Sequence, residues 1–184
     1  MATYSAPVVP AFPAGYAPLQ SDFATWWYQN ASFLQNRIVA RVSQTTTATT
    51  LPASGADTVI DFDTVLEDPY SGWVGSPFWE WRPPAGYSGW FEVTVCVRTA
   101  AVPAGADLQV NVYNPALSTV VPAQCAQAGD NFGAGVCGSW TTYLVGGQDS
   151  VAAAASLLNS GSAVNTSLTA GQQSTMQVVW LSQL

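Results

Sequence analysis

Histidine and lysine are both missing from this chain of 184 residues, and positive charge rests on four arginines, Arg37, Arg41, Arg82 and Arg98. Without an imidazole there is no Ser-His-Asp or Cys-His catalysis and no histidine-based metal site. Four cations against 11 acidic residues, a net charge of −7, leave nucleic-acid binding almost no electrostatic source. The same balance sets the chain against an anionic membrane surface. There is no run of 18 apolar residues, the length a membrane-spanning helix needs. The opening Met1-Ala2-Thr3-Tyr4-Ser5 lacks the basic patch and apolar run of a secretory signal, so the chain is expected to stay in a cytoplasm until it assembles. Three cysteines are too few for a disulfide framework. Cys96 falls inside a strand pattern and reads as a small buried hydrophobe. Cys125 and Cys137 flank a glycine-rich loop and would pair with each other if oxidised, but reduced thiols are expected.

Charge is scarce altogether: 8% of residues carry it, against about 25% in an ordinary soluble domain. Eight tryptophans, seven tyrosines and seven phenylalanines must find cover. One large core would take them; so would the middle of a subunit interface, where aromatics are enriched and charges depleted. The composition points to an obligate oligomer or part of a larger assembly.

Residues 1–20 carry Pro7, Pro10, Pro13 and Pro18, a spacing that forbids a helix and favours an extended arm. Residues 21–36 form the one helix candidate. Ser21 or Asp22 caps it, and Phe23, Trp26, Trp27, Ala31 and Leu34 fall on one face. From Arg37 the period changes to two. Ile38, Ala40 and Val42 alternate with polar positions, as do Ile60, Phe62 and Thr64 with Asp61 and Asp63, and Phe91, Val93, Val95 and Val97 with Glu92, Thr94, Cys96 and Arg98. Further strands are predicted at 108–113, 140–145, 151–158 and 176–181. Alanines 152–155 are read as a strand of small residues suited to a crowded place such as a subunit contact. Short strands parted by Gly, Pro and Asn turns predict an antiparallel sandwich over 37–184, preceded by an arm and helix over 1–36.

Chemical motifs are few. Asp57, Asp61, Asp63, Glu67 and Asp68 form the densest acidic group. Asp61 and Asp63 on one strand face read as a solvated face, with the start of a calcium site or a glycosidase carboxylate pair as alternatives. Gly86-Tyr87-Ser88-Gly89 is no nucleophile elbow, and the glycines at 133, 135 and 138 are followed by no lysine of a phosphate loop. The aromatic stretch Trp73, Phe78, Trp79, Trp81, Tyr87 and Trp90 would either stack on a carbohydrate or be buried between sheets or subunits.

The order of parts resembles a known family. A short aromatic helix leads into Arg37-Ile38-Val39-Ala40-Arg41-Val42. Leu51-Pro52-Ala53-Ser54-Gly55, Thr58-Val59-Ile60-Asp61-Phe62-Asp63-Thr64 and Glu67-Asp68 follow, then Pro83-Pro84-Ala85-Gly86-Tyr87 and the closing Met176-Gln177-Val178-Val179-Trp180-Leu181. Together these resemble the tumour-necrosis-factor/complement-globular-head jelly rolls found in virion proteins of tailed bacteriophages. Trp79-Glu80-Trp81 and the 125–137 loop depart from that pattern. The resemblance implies a homotrimeric all-β jelly roll with no catalytic residue and no cofactor. It implies a structural virion protein, with capsid decoration the first reading and a minor tail or fibre-tip protein binding a host receptor or glycan the second; a carbohydrate-active enzyme, the third reading, rests on the carboxylates alone. The partners implied are two further copies of the chain and a major capsid or other virion protein, with no nucleic acid and no membrane. On that reading the particle is gripped by Phe12, Tyr16, Phe23, Trp26, Trp27, Phe33 and Leu34, and the trimer contact is made by Trp90, Tyr113, Tyr143 and Trp180.

Overall fold

The computed structural model describes Trp27 and residues 39–114, 119–127 and 135–182. The arm, and the helix apart from Trp27, lie outside the described residues; Trp27 itself is helical and 71% exposed. The strands run in chain order β1 (Val39–Ser43), β2 (Thr50–Leu51), β3 (Thr58–Val59), β4 (Thr64–Glu67), β5 (Trp73–Val74), β6 (Glu80–Trp81) and β7 (Gly89–Arg98). They continue as β8 (Asp107–Asn114), β9 (Thr119–Gln127), β10 (Gly135–Leu144), β11 (Val151–Leu158), β12 (Val164–Asn165) and β13 (Thr175–Ser182). One sheet has the order β10-β7-β13-β1-β4 and the second β5-β6-β11-β8-β9, with β3 also on β11; β12 and β2 form a small pair. All the pairings are antiparallel. The result is an antiparallel sandwich, as the strand periodicity predicts, with the jelly-roll form that the resemblance implies.

Inward positions recur every second residue because successive side chains leave opposite faces of a strand. In β7 the core takes Phe91, Val93, Val95 and Val97, each fully buried, while Trp90, Glu92, Thr94, Cys96 and Arg98 face outward. An aromatic chain ties the two sheets together. The Trp81 ring of β6 lies 5.4 Å from Phe91 of β7, Phe91 stacks on Trp180 of β13 at 6.2 Å, and Trp180 meets Tyr87 edge-on at 5.4 Å. Both indoles keep their N–H satisfied, Trp180 donating to the Ser182 carbonyl at 3.0 Å and Trp81 to Asp68 Oδ1 at 3.4 Å. Gly89 lets β7 approach the end of β13 at that point. A Cβ there would lie 2.2 Å from the Ser182 carbonyl oxygen, and its φ of 156° suits glycine.

Three expectations change. Ile60 and Phe62 are buried as predicted, but residues 60–63 are irregular backbone between β3 and β4, not a strand. The alanine strand β11 is crowded within its own chain, central in its sheet and buried on both faces from Val151 to Leu157, so a subunit contact is not needed to explain it. Trp180 is a core residue at 1% exposure, so its indole is not available to a neighbouring chain. Truncating it should cost stability in proportion to the cavity left. Trp180→Ala is expected to lower unfolding free energy by about 3–5 kcal/mol, read from a urea titration of the full chain.

Candidate interaction face and acidic cluster

The outward face of the first sheet holds two of the four expected contact residues side by side. Trp90 of β7 and Tyr143 of β10 are directly opposite in register, and their rings meet edge-on with centroids 5.7 Å apart. They remain 36% and 41% exposed, and Leu181, 40% exposed, sits at the bulge of the adjoining β13. Three large apolar side chains at one end of one sheet face are therefore left partly open to solvent by the described residues. The middle of the face is polar: Ser139 donates to Glu92 Oε1 at 2.8 Å and lies 3.0 Å from the Thr94 hydroxyl. At the other end Cys96 and Cys137, opposite in register, are joined by a disulfide. Tyr113 is elsewhere, on β8 of the second sheet and out of phase with its core-facing Leu108, Val110 and Val112.

That disulfide overturns the reading of the cysteines. Cys96 is not a buried hydrophobe but half-buried on the outward face, and its partner Cys137 is exposed. Cys137 does not pair with Cys125, which lies in β9 opposite Gln109. The sequence clue was the alternation of Cys137, Ser139 and Thr141 with Val136, Gly138 and Trp140, which carries β10 five residues further back than its predicted start at Trp140.

The aromatic stretch 73–90 forms no continuous groove. Trp81 is in the core, and Trp73 and Tyr87 pack against it. Phe78 stands out at 57% exposure with the Arg82 guanidinium 6.0 Å from its ring, while Trp90 belongs to the other sheet. Arg82 is held in turn by the buried Glu80, whose second oxygen accepts from Ser150 at 2.7 Å. Elsewhere, a depression of about 450 Å³ between residues 100–103 and residues 162–165, which end in β12, is lined by uncharged side chains.

The acidic cluster is structural. Asp63 is not on a solvated strand face; it sits in a nest of threonines. Its Oδ1 accepts from Thr45 N (2.8 Å), Thr45 Oγ1 (2.9 Å) and Thr64 Oγ1 (2.9 Å). Its Oδ2 accepts from Thr46 N (2.8 Å), Thr46 Oγ1 (2.8 Å) and Thr47 N (2.7 Å). Burial alone would raise its pKa, but the backbone N–H groups of Thr45, Thr46 and Thr47 and the Thr46 hydroxyl outweigh it and hold the carboxyl well below the usual carboxylate range. Asp61 is pushed the other way, by burial first and then by the charge of Asp63. Asp68 accepts from Trp73 N at 2.7 Å, and Asp57 from Asn111 Nδ2 at 2.8 Å. With both oxygens taken up, Asp63 has no lone pair to offer a glycosidic bond. Among the described residues no three Cys, Asp or Glu side chains converge as a metal site would require.

A carboxylate whose folded pKa is depressed stabilises the fold above its unfolded pKa and loses that contribution as pH falls through the folded value. Asp63→Asn is therefore expected to cost about 1–3 kcal/mol at neutral pH. Denaturant titrations of both proteins should show the gap steady above about pH 4 and shrinking progressively below it.

No protein-family model matches the sequence, and neither does any curated protein. Solved structures do match in fold. The globular domain of zebrafish complement 1qA is similar with a TM-score of 0.58 at 9% identity, over 81% of this chain and 100% of that one. Eiger TNF from S. frugiperda is similar with a TM-score of 0.54 at 11% identity, over 80% and 94%. The PRD1 vertex protein is similar with a TM-score of 0.52 at 18% identity, over 78% and 96%. At such identities the likeness concerns architecture: the chain has the antiparallel jelly-roll fold of the tumour-necrosis-factor and complement globular-head type.

Proposed function

We propose that the chain is a structural, non-enzymatic virion protein of a tailed bacteriophage. On this reading it is a trimeric capsid decoration protein, with residues 37–184 forming a knob and residues 1–36 gripping the particle. The observation that carries self-association is the uncovered Trp90–Tyr143–Leu181 patch. Trp and Tyr are among the residue types that most often dominate association energy. Three copies hiding this surface would gain about 25 cal/mol per Å² before the costs of association. The virion role is supported by the order of helix and jelly roll along the sequence and by the fold shared with the PRD1 vertex protein. Trp90 and Tyr143 stay in the proposed contact, and Tyr113 and Trp180 leave it.

In this arrangement Phe12, Tyr16, Phe23, Trp26, Trp27, Phe33 and Leu34 meet a capsid or other virion protein. Three arms on one knob bind with avidity, so each contact can be weak. The fibre-tip reading keeps one specific feature, the exposed Phe78 ring backed by Arg82, a place where a sugar face could stack.

Two measurements test this. Light scattering of the full chain should give about three times its 19.3 kDa mass. Trp90→Ala combined with Tyr143→Ala should give one chain mass with an unchanged far-ultraviolet spectrum. Deleting residues 1–36 should abolish binding to purified particles while the knob stays trimeric. Particle binding that survives the deletion would overturn the anchoring role, and knob binding to host cells would favour the receptor reading.

A further inference from the structure

The same two strands that carry the aromatic pair also carry the disulfide. Trp90 and Cys96 are outward residues of β7; Tyr143 and Cys137 are outward residues of β10. The register sets Trp90 against Tyr143 and Cys96 against Cys137 in one unbroken ladder, from Gly135↔Arg98 to Leu144↔Gly89. We infer that the Cys96–Cys137 bond is a redox-controlled clamp on the self-association face, holding β10 in the register that completes the Trp90–Tyr143 pair. This rests on the self-association proposed above.

Two features of the fold leave such a clamp something to hold. β10 is an edge strand, bonded in its sheet to β7 alone; β8 and β9 of the second sheet lie beside it, but no ladder joins them to it. A one-residue slip is barred, because it would turn Tyr143 into the core side and the buried Leu144 out, but a two-residue slip keeps that parity, and the outward Ser139 and Thr141 oppose it weakly. The bond lies about 20 Å along β7 from the aromatic pair, so it can be broken without touching the contact residues.

The bond is open to chemistry. Cys137 is exposed and Cys96 half-buried. A small thiolate attacks the Cys137 sulfur, forming a mixed disulfide and expelling the Cys96 thiolate. A second small thiol attacks that mixed disulfide and releases Cys137. Two electrons enter the protein, and the two small thiols leave as their own disulfide. The reverse exchange, with a low-molecular-weight disulfide as oxidant, closes the clamp. A chain made in a reducing cytoplasm would thus begin with a loose face, and oxidation would tighten it.

The test is sedimentation velocity of the full chain across a concentration series, oxidised with glutathione disulfide or reduced with a phosphine. The variant Cys96→Ser with Cys137→Ser is run beside it, all in a Cys125→Ser background. Reduction, or the double serine change, is expected to raise the concentration for half-assembly about tenfold or more with the strand content unchanged by circular dichroism. Equal assembly of oxidised and reduced chains would overturn the clamp and leave the trimer reading standing. An oxidised chain that stays monomeric at every concentration would overturn both. Loss of the strand spectrum on reduction would also overturn it, since the bond would then staple the whole sandwich and not the face.

Discussion

The strict alternation of β7 is the constraint on which the rest depends. Ten residues, Gly89 to Arg98, run as an interior strand of the first sheet between β10 and β13, burying every odd-numbered side chain from Phe91 to Val97. That parity decides at once what forms the core and what is offered outside. Phe91 goes inward, to bridge Trp81 of one sheet and Trp180 of the other. Trp90, one residue earlier, must then go outward, and Cys96 with it. A slip by one position would bury Glu92 and Arg98 without partners and expose the whole valine row, an exchange costing far more than the fold's margin.

Because parity is written in the sequence, the long strands were legible there, and so was the sandwich they make. β7, β8 and β13 announce themselves by period two, and β11 as a run of small residues. β9 does not, because Pro122 interrupts it; proline is tolerated there since β9 is an edge strand, and its ladder with β8 skips at that point, from Gln109↔Cys125 to Asn111↔Pro122. Strands of two residues, such as β2, β5 and β6, are too short for any period to show. Asp61 and Asp63 misled for a related reason. Ile60 and Phe62 are buried as in a strand, but no regular ladder runs past β3: Ile60 N donates to the Ala153 carbonyl and Asp61 N to the Thr49 hydroxyl, while the Asp63 carboxylate fastens the backbone of residues 45–47.

The candidate face was half legible. Counting aromatics indicates that some need an outside partner without saying which. The distinction between Trp90 and Trp180 comes from which neighbours stand over each face, and that is a property of the folded pair of sheets. The aromatic stretch 73–90 shows the same limit, since its members scatter to the core, to an exposed turn and to the opposite sheet. The cysteine pairing failed for want of a strand boundary: once β10 starts at Gly135, Cys137 stands across from Cys96.

The flanks of the sandwich are unequal. On one side β9 and β10 lie close together as two long edges with nine and ten residues. On the other the first sheet ends in the four-residue β4, whose ladder to β1 breaks where Leu66 is inserted, and the second ends in the two-residue β5. A sheet that can accept a stranger along one border only is a dead end for linear polymerisation. Two such borders can meet, but the product then presents only its blunt sides. Molecules packed together at high local density on a surface would therefore be protected from knitting into fibrils, with no need of the charges this chain so conspicuously does without.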